Sequence, residues 1–413
     1  MVRLLLGALG AVAFLAPVAT ATTWIVDAGG GGQFTDIQTA ILASQPGDVL
    51  LVQAGTYAPF ALDRGLTLIG YGACNVSGPI TIAGVPATQT AALVHIEAPT
   101  LDIQTCDGPV LVQDTQQLES ISVSHSLDVR LARIVMPAPD SLAPLAGLSV
   151  VSSRVEVNSS NIYGGGGSDC VTPAVTGAIG STSSGSRMHF SRSSLTGGAG
   201  SACVQQNYDC AGGGAGLDLH AGTDVILCGR ALDQFFGGPG GINLWYNDCT
   251  HDGPMGPTVL LRSGATLRHS GVTIHDWSYQ YGLNCILLTS PGVQQLGGTE
   301  VQPTSADPTL SVSGTPVAGG PQIFTLDAPP GSTALLYVGR RAVVVPDPNT
   351  EIEVLTAGTR VVNLGQIPAS GTLTFTWNVP SILAPGTKAF AQAEVSVAPG
   401  DLRRTNSVPV ILR

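Results

Sequence analysis

The sequence is poor in charged and aromatic side chains. Charged residues make up 11% and aromatic residues 5% of the 413 residues, whereas about 25% of residues are charged in an average soluble protein. The scarcity of charged helix formers disfavours a helical bundle. The formal net charge is −11 and Lys388 is the only lysine, so the cationic surface that nucleic acids require is missing. We therefore expect no nucleic-acid partner.

Several functional motifs are also missing. No phosphate-binding loop, dinucleotide fingerprint, Gly-x-Ser-x-Gly or His-Glu-x-x-His sequence occurs, so no cofactor is expected. Beyond the N-terminal segment, no run approaches the roughly 20 apolar residues of a membrane-spanning helix, and we expect no membrane span in the mature chain. Glycine (53 residues) is abundant instead, and 44% of residues are hydrophobic. This composition is too apolar for intrinsic disorder and indicates a β-rich, repetitive protein.

Residues 1–21 have the features of a secretory signal peptide. Arg3 provides the positive charge, Leu4–Pro17 forms the apolar segment, and Ala19–Ala21 is a small-x-small cleavage site. Such segments direct export and are then removed. The sequence therefore predicts a secreted or cell-surface protein whose mature chain begins near Thr22.

Eight cysteines are consistent with export, because an even number of cysteines in an exported chain suggests disulfides. Cys170 and Cys203 occupy equivalent positions of a sequence repeat, and a bridge between Cys203 and Cys210 competes with that pairing. Cys74 and Cys106 are a further candidate pair, because their separation is close to the length of the repeat. The cysteines are too widely spread for a zinc cluster. The full set of disulfide candidates is Cys74, Cys106, Cys170, Cys203, Cys210, Cys228, Cys249 and Cys285.

The start of the predicted mature chain carries a specific pattern. Trp24–Val26 is a predicted strand, Thr35 is a predicted N-cap for a helix of about two turns, and Val49–Val52 is a predicted buried strand. The pattern F-x-x-I-x-x-A-I followed by G-D-x-x-x-V-x-x-G-x-Y, over Thr23–Tyr57, resembles the opening of right-handed parallel β-helix proteins of the pectate-lyase-like and pectinesterase-like superfamily. The resemblance implies that the helix caps a stack of β-coils and that active sites lie several coils further on.

An internal repeat supports stacked coils. Ser153–Ile162 and Ser186–Leu195 are two copies of one pattern, and weaker copies occupy Thr223–Leu232 and Ala265–Ile274. The offset between the two best copies, about 33 residues, is also the period of ankyrin repeats. However, these units are β-branched and rich in serine and glycine, without paired helical patterns. We therefore predict one strand every few residues, in coils of variable length.

Four glycine-rich inserts are predicted to be loops that leave the coils at one corner. Gly164–Thr172 also matches a nine-residue calcium-binding repeat, but that repeat needs tandem copies, which are missing here. We therefore expect no metal at this segment. The inserts are Gly164–Gly167, Gly197–Gly200, Gly212–Gly216 and Gly237–Gly241.

The composition changes after Gly298. Residues 299–308 are polar and proline-bearing and are predicted to be a linker, and residues 309–413 contain seven or eight short strands typical of a small β-sandwich. This segment resembles the C-terminal β-sandwich modules of secreted bacterial repeat proteins. The predicted fold class is therefore all-β, with a right-handed parallel β-helix over residues 22–298 followed by a small β-sandwich.

One group of residues has the chemistry of a glycan-processing site. Lyases of the superfamily use aspartates to hold Ca²⁺ and an arginine or lysine to abstract a proton, whereas its esterases and hydrolases use two or three aspartates. Trp277 and Tyr279 are candidates for stacking on sugars. The weak catalytic candidates are Asp248, Asp252, Arg268, His275 and Asp276.

Two functional hypotheses follow. The first is a secreted or cell-surface β-helix protein with a structural, adhesive or glycan-binding role, because ionisable groups are scarce and active sites need perturbed acids and bases. The alternative is a polysaccharide lyase, esterase or hydrolase, with Ca²⁺ expected only for a lyase. Two aspartates and an arginine that converge within about 7 Å on one coil face would favour the enzyme. The sequence does not indicate the oligomeric state.

Overall fold

The computed structural model describes residues 21–116, 118–137, 140–141, 144–167, 176–201, 210–229, 233–239, 255–275, 277–279, 288–290, 292–301, 307–345, 352–356, 360–398 and 401–413. The predicted signal peptide lies outside these ranges except for its last residue. The fold class is the one predicted from the sequence: large parallel sheets are followed by antiparallel sheets. Within these ranges, no helix has the length and apolar character needed to cross a lipid bilayer.

The coils of the parallel β-helix are built on three sheets. The largest sheet has eleven parallel strands: Thr23–Val26, Val49–Tyr57, Thr67–Val76, Ala91–Val94, Val110–Gln113, Val129–Ala132, Arg154–Asn158, Arg187–Ser191, Asp224–Cys228, Thr266–Ser270 and Thr299–Val301. The second has nine: Phe60–Leu62, Ile80–Ala83, Thr100–Gln104, Ser120–Ser124, Leu148–Val151, Ser181–Ser184, Leu217–Leu219, Val259–Arg262 and Val293–Leu296. The third has four: Asn161–Tyr163, Ser194–Thr196, Gln234–Phe236 and Thr273–Ile274. From Val49 onwards the chain alternates between the sheets, so each coil adds one strand to the two larger ones.

Two further pairs of short strands lie beside the coils. Asp140–Ser141 pairs in parallel with Gly166–Gly167. Trp277–Tyr279 pairs in antiparallel orientation with Leu288–Ser290. Neither pair belongs to the three sheets that form the coils.

The N-terminal end of the β-helix is closed by the helix Ile37–Ala43. Its N-cap is Asp36, whose Oδ1 accepts a hydrogen bond from the Thr39 backbone N–H at 2.9 Å. The prediction of Thr35 as the cap was therefore wrong by one residue, because the carboxylate of Asp36 caps as well as a hydroxyl. Ile37 and Ile41 are buried against the first coils, so the helix covers the end of the apolar core.

The register of the strands confirms the sequence repeat. Arg154 pairs with Arg187, at the same offset as the two best copies of the repeat, and Arg187 pairs in turn with Asp224. Asp224 pairs with Thr266, which aligns the two weaker copies with the stronger ones. One repeat is thus one coil. Coil length varies along the chain: the interval from Val110 to its partner Val129 is less than half of that from Asp224 to Thr266.

Tight corners follow the strands of the eleven-strand sheet. Asp114, Arg133 and Ser159 have φ near +50°, the left-handed conformation that turns the chain within one residue. The residue after each corner faces inward, and serines there form a ladder. Ser160 Oγ accepts from the Ile134 N–H at 3.0 Å, and the Ser160 N–H donates to Ser193 Oγ at 3.1 Å. These bonds pair backbone groups that have no partner within a sheet because the chain turns at the corner.

The glycine-rich inserts form a hydrogen-bonded bundle, which corrects the prediction that they leave the coils as loops. The N–H groups of Gly164 and Gly167, three residues apart, donate to Thr196 and Ala199 of the next coil. A period of three residues is that of the polyproline II conformation, which makes no hydrogen bonds within its own segment. The additional residues of the longer coils therefore form a regular structure of their own.

Close backbone contact explains why glycine is required in this bundle. The Gly198 N–H donates to the Ala178 carbonyl at 2.8 Å, and the Ala178 N–H donates to the Gly165 carbonyl at 2.8 Å. A Cβ atom on Gly198 would lie 2.0 Å from the Gly165 carbonyl oxygen. Any side chain at this position would force the segments apart.

The C-terminal region is a β-sandwich of two antiparallel sheets and a hairpin. One sheet contains Thr309–Ser313, Pro321–Asp327 and Thr372–Asn378. The other contains Arg360–Gln366, Thr333–Gly339, Lys388–Ala398, Asp401–Arg404 and Val408–Ile411, and the hairpin pairs Arg341–Val345 with Ile352–Thr356. Phe324 of the first sheet and Leu336 of the second share one buried core. Thr299–Val301, within the predicted linker, is the last strand of the eleven-strand sheet, so the β-helix ends later than predicted.

The sandwich packs on the outer face of the eleven-strand sheet. An apolar cluster joins them, formed by Val49, Ile69, Ala92, Val94, Leu111, Phe390 and Ile411. Arg130 donates to Ser407 Oγ at 2.6 Å, and its guanidinium lies 5.0 Å from the centre of the Phe390 ring. Glu156 Oε1 accepts from the Ser407 N–H at 3.1 Å. We call this contact the joint.

Candidate ligand-binding face

The structure describes two of the five catalytic candidates, and they lie on different sheets. Arg268 is on the eleven-strand sheet, with its Nε 3.9 Å from Asp224 Oδ1. His275 follows the last strand of the four-strand sheet, and its ring stacks on Phe236 with centroids 4.2 Å apart. Asp248, Asp252 and Asp276 lie outside the described residues. The two described candidates therefore have different partners on different sheets, and the site as a whole stays a prediction.

Trp277 and Tyr279 lie in a short strand that pairs in antiparallel orientation with Leu288–Ser290. Their assignment as sugar-stacking residues stays a prediction, because it depends on side-chain positions that the structure does not describe.

Cys74 and Cys106 are both free and buried, so the predicted bridge between them was wrong. Cys74 Sγ lies 3.1 Å from the Val52 carbonyl in the eleven-strand sheet, whereas Cys106 follows a strand of the nine-strand sheet, 3.3 Å from the Gln104 carbonyl. Burial raises the pKa of both thiols. The interval between the two cysteines does not match the shorter coils of this region, so it places the two side chains on different sheets.

Cys228 is likewise free and buried, so its assignment as a disulfide candidate was wrong. Cys170, Cys203, Cys249 and Cys285 lie outside the described residues, so the pairings that involve them stay predictions. Cys210 is buried.

A thiol and an imidazole meet on the outer face of the eleven-strand sheet. His189 Nε2 lies 2.9 Å from Cys228 Sγ, a contact that sequence reasoning missed because the two residues are far apart along the chain. Burial is the main cause that raises the pKa of Cys228 well above its usual value, which keeps the thiol protonated. Since Cys228 is only 2% exposed, no substrate reaches this sulfur. The pair is a structural hydrogen bond rather than an activated nucleophile.

The outer face of the nine-strand sheet carries a row of small polar side chains. Alternate residues of each strand point outward, and the strand register places one residue per coil in the same row. In order, the row contains Thr81, Asp102, Ser122, Ser149, Thr182 and Asp218. At about 4.8 Å per strand, it extends about 24 Å along the β-helix. A parallel second row contains Ser124, Val151 and Ser184. We call this surface the hydroxyl face.

The hydroxyls at the centre of this face are available to a ligand. Ser122, Ser149 and Thr182 are partly exposed, and among the described residues their Oγ atoms form no hydrogen bond with the protein. This contrasts with the serines at the corners, which are committed to the backbone ladder. The hydroxyl face is therefore a flat grid of free donors and acceptors.

A charged cluster ends the row. Asp218 is 4% exposed and accepts two hydrogen bonds from Arg262, at 2.6 and 2.9 Å. His220 Nε2 lies 3.3 Å from the same carboxylate. The hydrogen bond to Asp218 raises the pKa of Arg262. The Arg262 side chain is itself 40% exposed. At the other end, Asp102 accepts a hydrogen bond from Gln104.

This face does not meet the criterion for the enzyme hypothesis, because its charged cluster contains one aspartate. Two aspartates do approach Arg403, which lies 2.9 Å from Asp401 and 3.8 Å from Asp307, but these residues are beside the joint rather than on a coil face. Desolvation is the largest effect on Asp307 and raises its pKa. In the described part of the chain, no group of three or more histidine, cysteine, aspartate or glutamate side chains is placed to hold a metal ion.

The sequence carries one local signal for the hydroxyl face. Ser120–Ser124 has serine at every second position, which predicts an outward polar row on one strand. Its continuation over neighbouring coils depends on the register, which irregular coil lengths conceal. No protein-family model matches the chain, and no curated protein is significantly similar to it.

Proposed function

We propose that this protein is a secreted or cell-surface β-helix protein that binds a glycan on the hydroxyl face. The observation that carries the proposal is the row of unengaged hydroxyls at Ser122, Ser149 and Thr182, at the spacing of adjacent strands. Serine and threonine hydroxyls both donate and accept hydrogen bonds, as sugar hydroxyls do. An extended polysaccharide lying along the coils would contact several of them at once.

The shape and charge of the face support a polymeric ligand of low charge. The side chains are small, so the surface is flat and long rather than a closed pocket. Its central coils carry no ionisable group in this row between Asp102 and Asp218. The carboxylate of Asp218 is compensated by Arg262. A neutral stretch of glycan therefore fits the centre of the face best.

Export and family membership are parts of the same proposal. The signal-peptide features of residues 1–21 support secretion or display at the cell surface. The pattern over Thr23–Tyr57 supports a relationship to the pectate-lyase-like superfamily, many of whose members act on polysaccharides. Fold alone does not determine function, so the proposal of glycan binding rests on the side chains of the hydroxyl face.

The test is binding by the predicted mature chain, residues 22–413, to pectin, polygalacturonate, alginate and neutral glycans, measured by affinity electrophoresis. We expect retardation by at least one neutral glycan. Ser149→Arg places a bulky side chain in the middle of the row and should weaken binding at least tenfold, about 1.4 kcal/mol. The matched control is Ser381→Arg, on an exposed turn of the sandwich, which should bind as the wild type does. Equal binding by both variants, or no binding to any glycan, would refute the proposal.

The enzyme alternative is tested on the same panel. Reducing ends, methanol and 4,5-unsaturated products are measured with and without Ca²⁺. Turnover that is lost in Asp276→Ala or Arg268→Ala but retained in Ser149→Arg would establish a polysaccharide-active enzyme with its site away from the hydroxyl face.

A further inference from the structure

The two ends of the β-helix are finished in different ways. At the N-terminal end, the helix Ile37–Ala43 covers the core and is the only helix of the described residues. At the C-terminal end, the last described strands are Val293–Leu296 and Thr299–Val301. Repeat proteins normally need a cap at each end. At the C-terminal end, polar side chains cover the core in place of a helix.

Polar residues replace apolar ones at the interior positions of the last coil. His269 follows Leu227 in its row, and Glu300 follows Leu267. Gln295 likewise follows Leu261. The three side chains bond to one another at the end of the core. His269 Nε2 lies 2.9 Å from Glu300 Oε1, and Gln295 Nε2 donates to Glu300 Oε2 at 2.9 Å.

This polar plug closes the core but leaves a sheet edge open. Val293–Leu296 pairs with Val259–Arg262 on one side and is the last strand of its sheet. Gln294, Gln295 and Leu296 are exposed, Leu296 by 46%. In the described ranges, no strand pairs with its other side. Such an edge presents unpaired backbone groups to any strand that approaches it.

We propose that two copies of this chain join tail to tail through Val293–Leu296, antiparallel, about a two-fold axis normal to the nine-strand sheet. The strand suits its own copy because Val293, Gln294, Gln295 and Leu296 carry no charge. The paired strands themselves therefore bring no like charges together, although each copy has a net charge of −11, and Glu300 beside them is held by His269. The closed N-terminal end allows no head-to-tail addition, so the assembly stops at a dimer.

The dimer would have a consequence for ligand binding, which rests on the proposed function. The two nine-strand sheets become continuous, and the two hydroxyl faces lie end to end on one surface. A long glycan would then engage both copies, and the second contact would be intramolecular.

The test is sedimentation-velocity ultracentrifugation of residues 22–413 from about 1 to 300 μM. We expect a concentration-dependent shift from monomer to dimer. The double variant Gln294→Lys/Leu296→Lys places four like charges at the two-fold contact and should weaken the dimer at least tenfold. Val361→Lys, on a sandwich strand where Val361 is 52% exposed, is the matched control and should dimerise as the wild type does.

Two results would overturn the dimer. One is a wild-type chain that stays monomeric at the highest concentration, and the other is a dimer that the double variant leaves unchanged. Neither result bears on the glycan proposal, because Ser149→Arg tests binding in monomer and dimer alike.

Discussion

The same coils present two outer faces of opposite character. On the eleven-strand sheet, the outward residues of the first coils include Val49, Ile69 and Leu111, and the sandwich covers them. On the nine-strand sheet, the outward residues Ser122, Ser149 and Thr182 are small and polar, and they are partly exposed to solvent. Both sheets have apolar residues inward. The comparison teaches that outward residues are apolar where the sandwich covers them and polar where the face stays exposed, and the exposed face is the one on which we propose that a glycan binds.

Charged side chains also lie on the covered face, where they bond to other polar groups. Arg130 is almost fully buried and makes two hydrogen bonds to Asp128, at 3.0 and 3.1 Å, besides its contacts with the sandwich. At the centre of the hydroxyl face, Ser122, Ser149 and Thr182 are partly exposed and need no protein partner. Four sets of substitutions test this difference between the covered and the exposed face.

The largest expected effect comes from a carboxylate placed on the covered face. Ile69→Asp buries a charge in the apolar cluster of the joint, and we expect a loss of about 3–5 kcal/mol in the free energy of unfolding. Ser149→Asp makes a comparable change on the hydroxyl face, where water solvates the new charge, and should stay within about 0.5 kcal/mol. Chemical denaturation measures both. Equal losses would mean that the two faces do not differ as described.

The second change separates a buried ion pair from an exposed one. Arg130→Ala leaves Asp128 without its partner inside the joint and should cost about 3 kcal/mol. Arg64→Ala removes an arginine that pairs with the solvent-exposed Asp63, and we expect about 0–1 kcal/mol. Thermal unfolding of the two variants under the same conditions compares them. A cost for Arg64→Ala as large as that for Arg130→Ala would contradict the assignment of Arg130 to a buried contact.

The third change uses the pH dependence of the only lysine. Lys388 Nζ donates to the Thr90 carbonyl across the joint at 2.9 Å, and desolvation lowers its pKa to about 8. Between pH 8 and the ordinary lysine pKa of 10.5, the unfolded chain holds a proton that the folded chain has released. The unfolding free energy contributed by Lys388 therefore rises with pH over this window.

The measurement for Lys388 is the difference in unfolding free energy between the wild type and Lys388→Met. The variant should be the more stable protein at pH 7, and its advantage should shrink from pH 8 upward. Taking the difference cancels the titration of the buried cysteines and tyrosines, which are common to both proteins. A difference that stays constant from pH 7 to 10 would show that the Lys388 ammonium is not desolvated.

The smallest effect is expected for hydroxyls without partners. Ser149→Ala and Thr182→Ala should change the unfolding free energy by less than about 0.5 kcal/mol. Ser160→Ala should cost about 1–2 kcal/mol, since Ser160 Oγ accepts from Ile134 and donates to the Asn158 carbonyl. Denaturant unfolding of the three variants distinguishes ladder hydroxyls from ligand-facing ones. A cost for Ser149→Ala equal to that for Ser160→Ala would mean that Ser149 is structural.

The coil architecture could be predicted from the sequence because equivalent positions of neighbouring coils lie close together along the chain. The pattern over Thr23–Tyr57 predicted a helix that caps stacked parallel strands, and the offset from Ser153 to Ser186 predicted the length of one coil; the helix, the stack and the offset were confirmed. Predictions failed where coil length varies. Cys74 and Cys106 are one apparent repeat apart, but the coils between them are shorter than that repeat, so the two thiols lie on different sheets.

Contacts between distant parts of the chain were not predictable in this way. Arg130 and Ser407 are 277 residues apart, one in the β-helix and one in the sandwich, and neither has a local pattern that identifies the other. The outward apolar residues Val49, Ile69 and Leu111 were visible in the sequence, but alternation alone does not say which of two faces is covered. The hydroxyl face was missed for the same reason, since its rows exist only after the strands are in register.

The glycine bundle gives the gene a distinctive mutational profile. Every amino acid other than glycine has a Cβ atom, and a Cβ on Gly198 would lie 2.0 Å from the Gly165 carbonyl oxygen. Every missense change in the Gly198 codon is therefore expected to be harmful, whichever base is altered. On the hydroxyl face, by contrast, exchanges between serine, threonine and alanine leave the fold intact. Saturation mutagenesis scored by folding should thus mark Gly198 as a position where no substitution survives, whereas Ser122, Ser149 and Thr182 should tolerate exchange for other small residues.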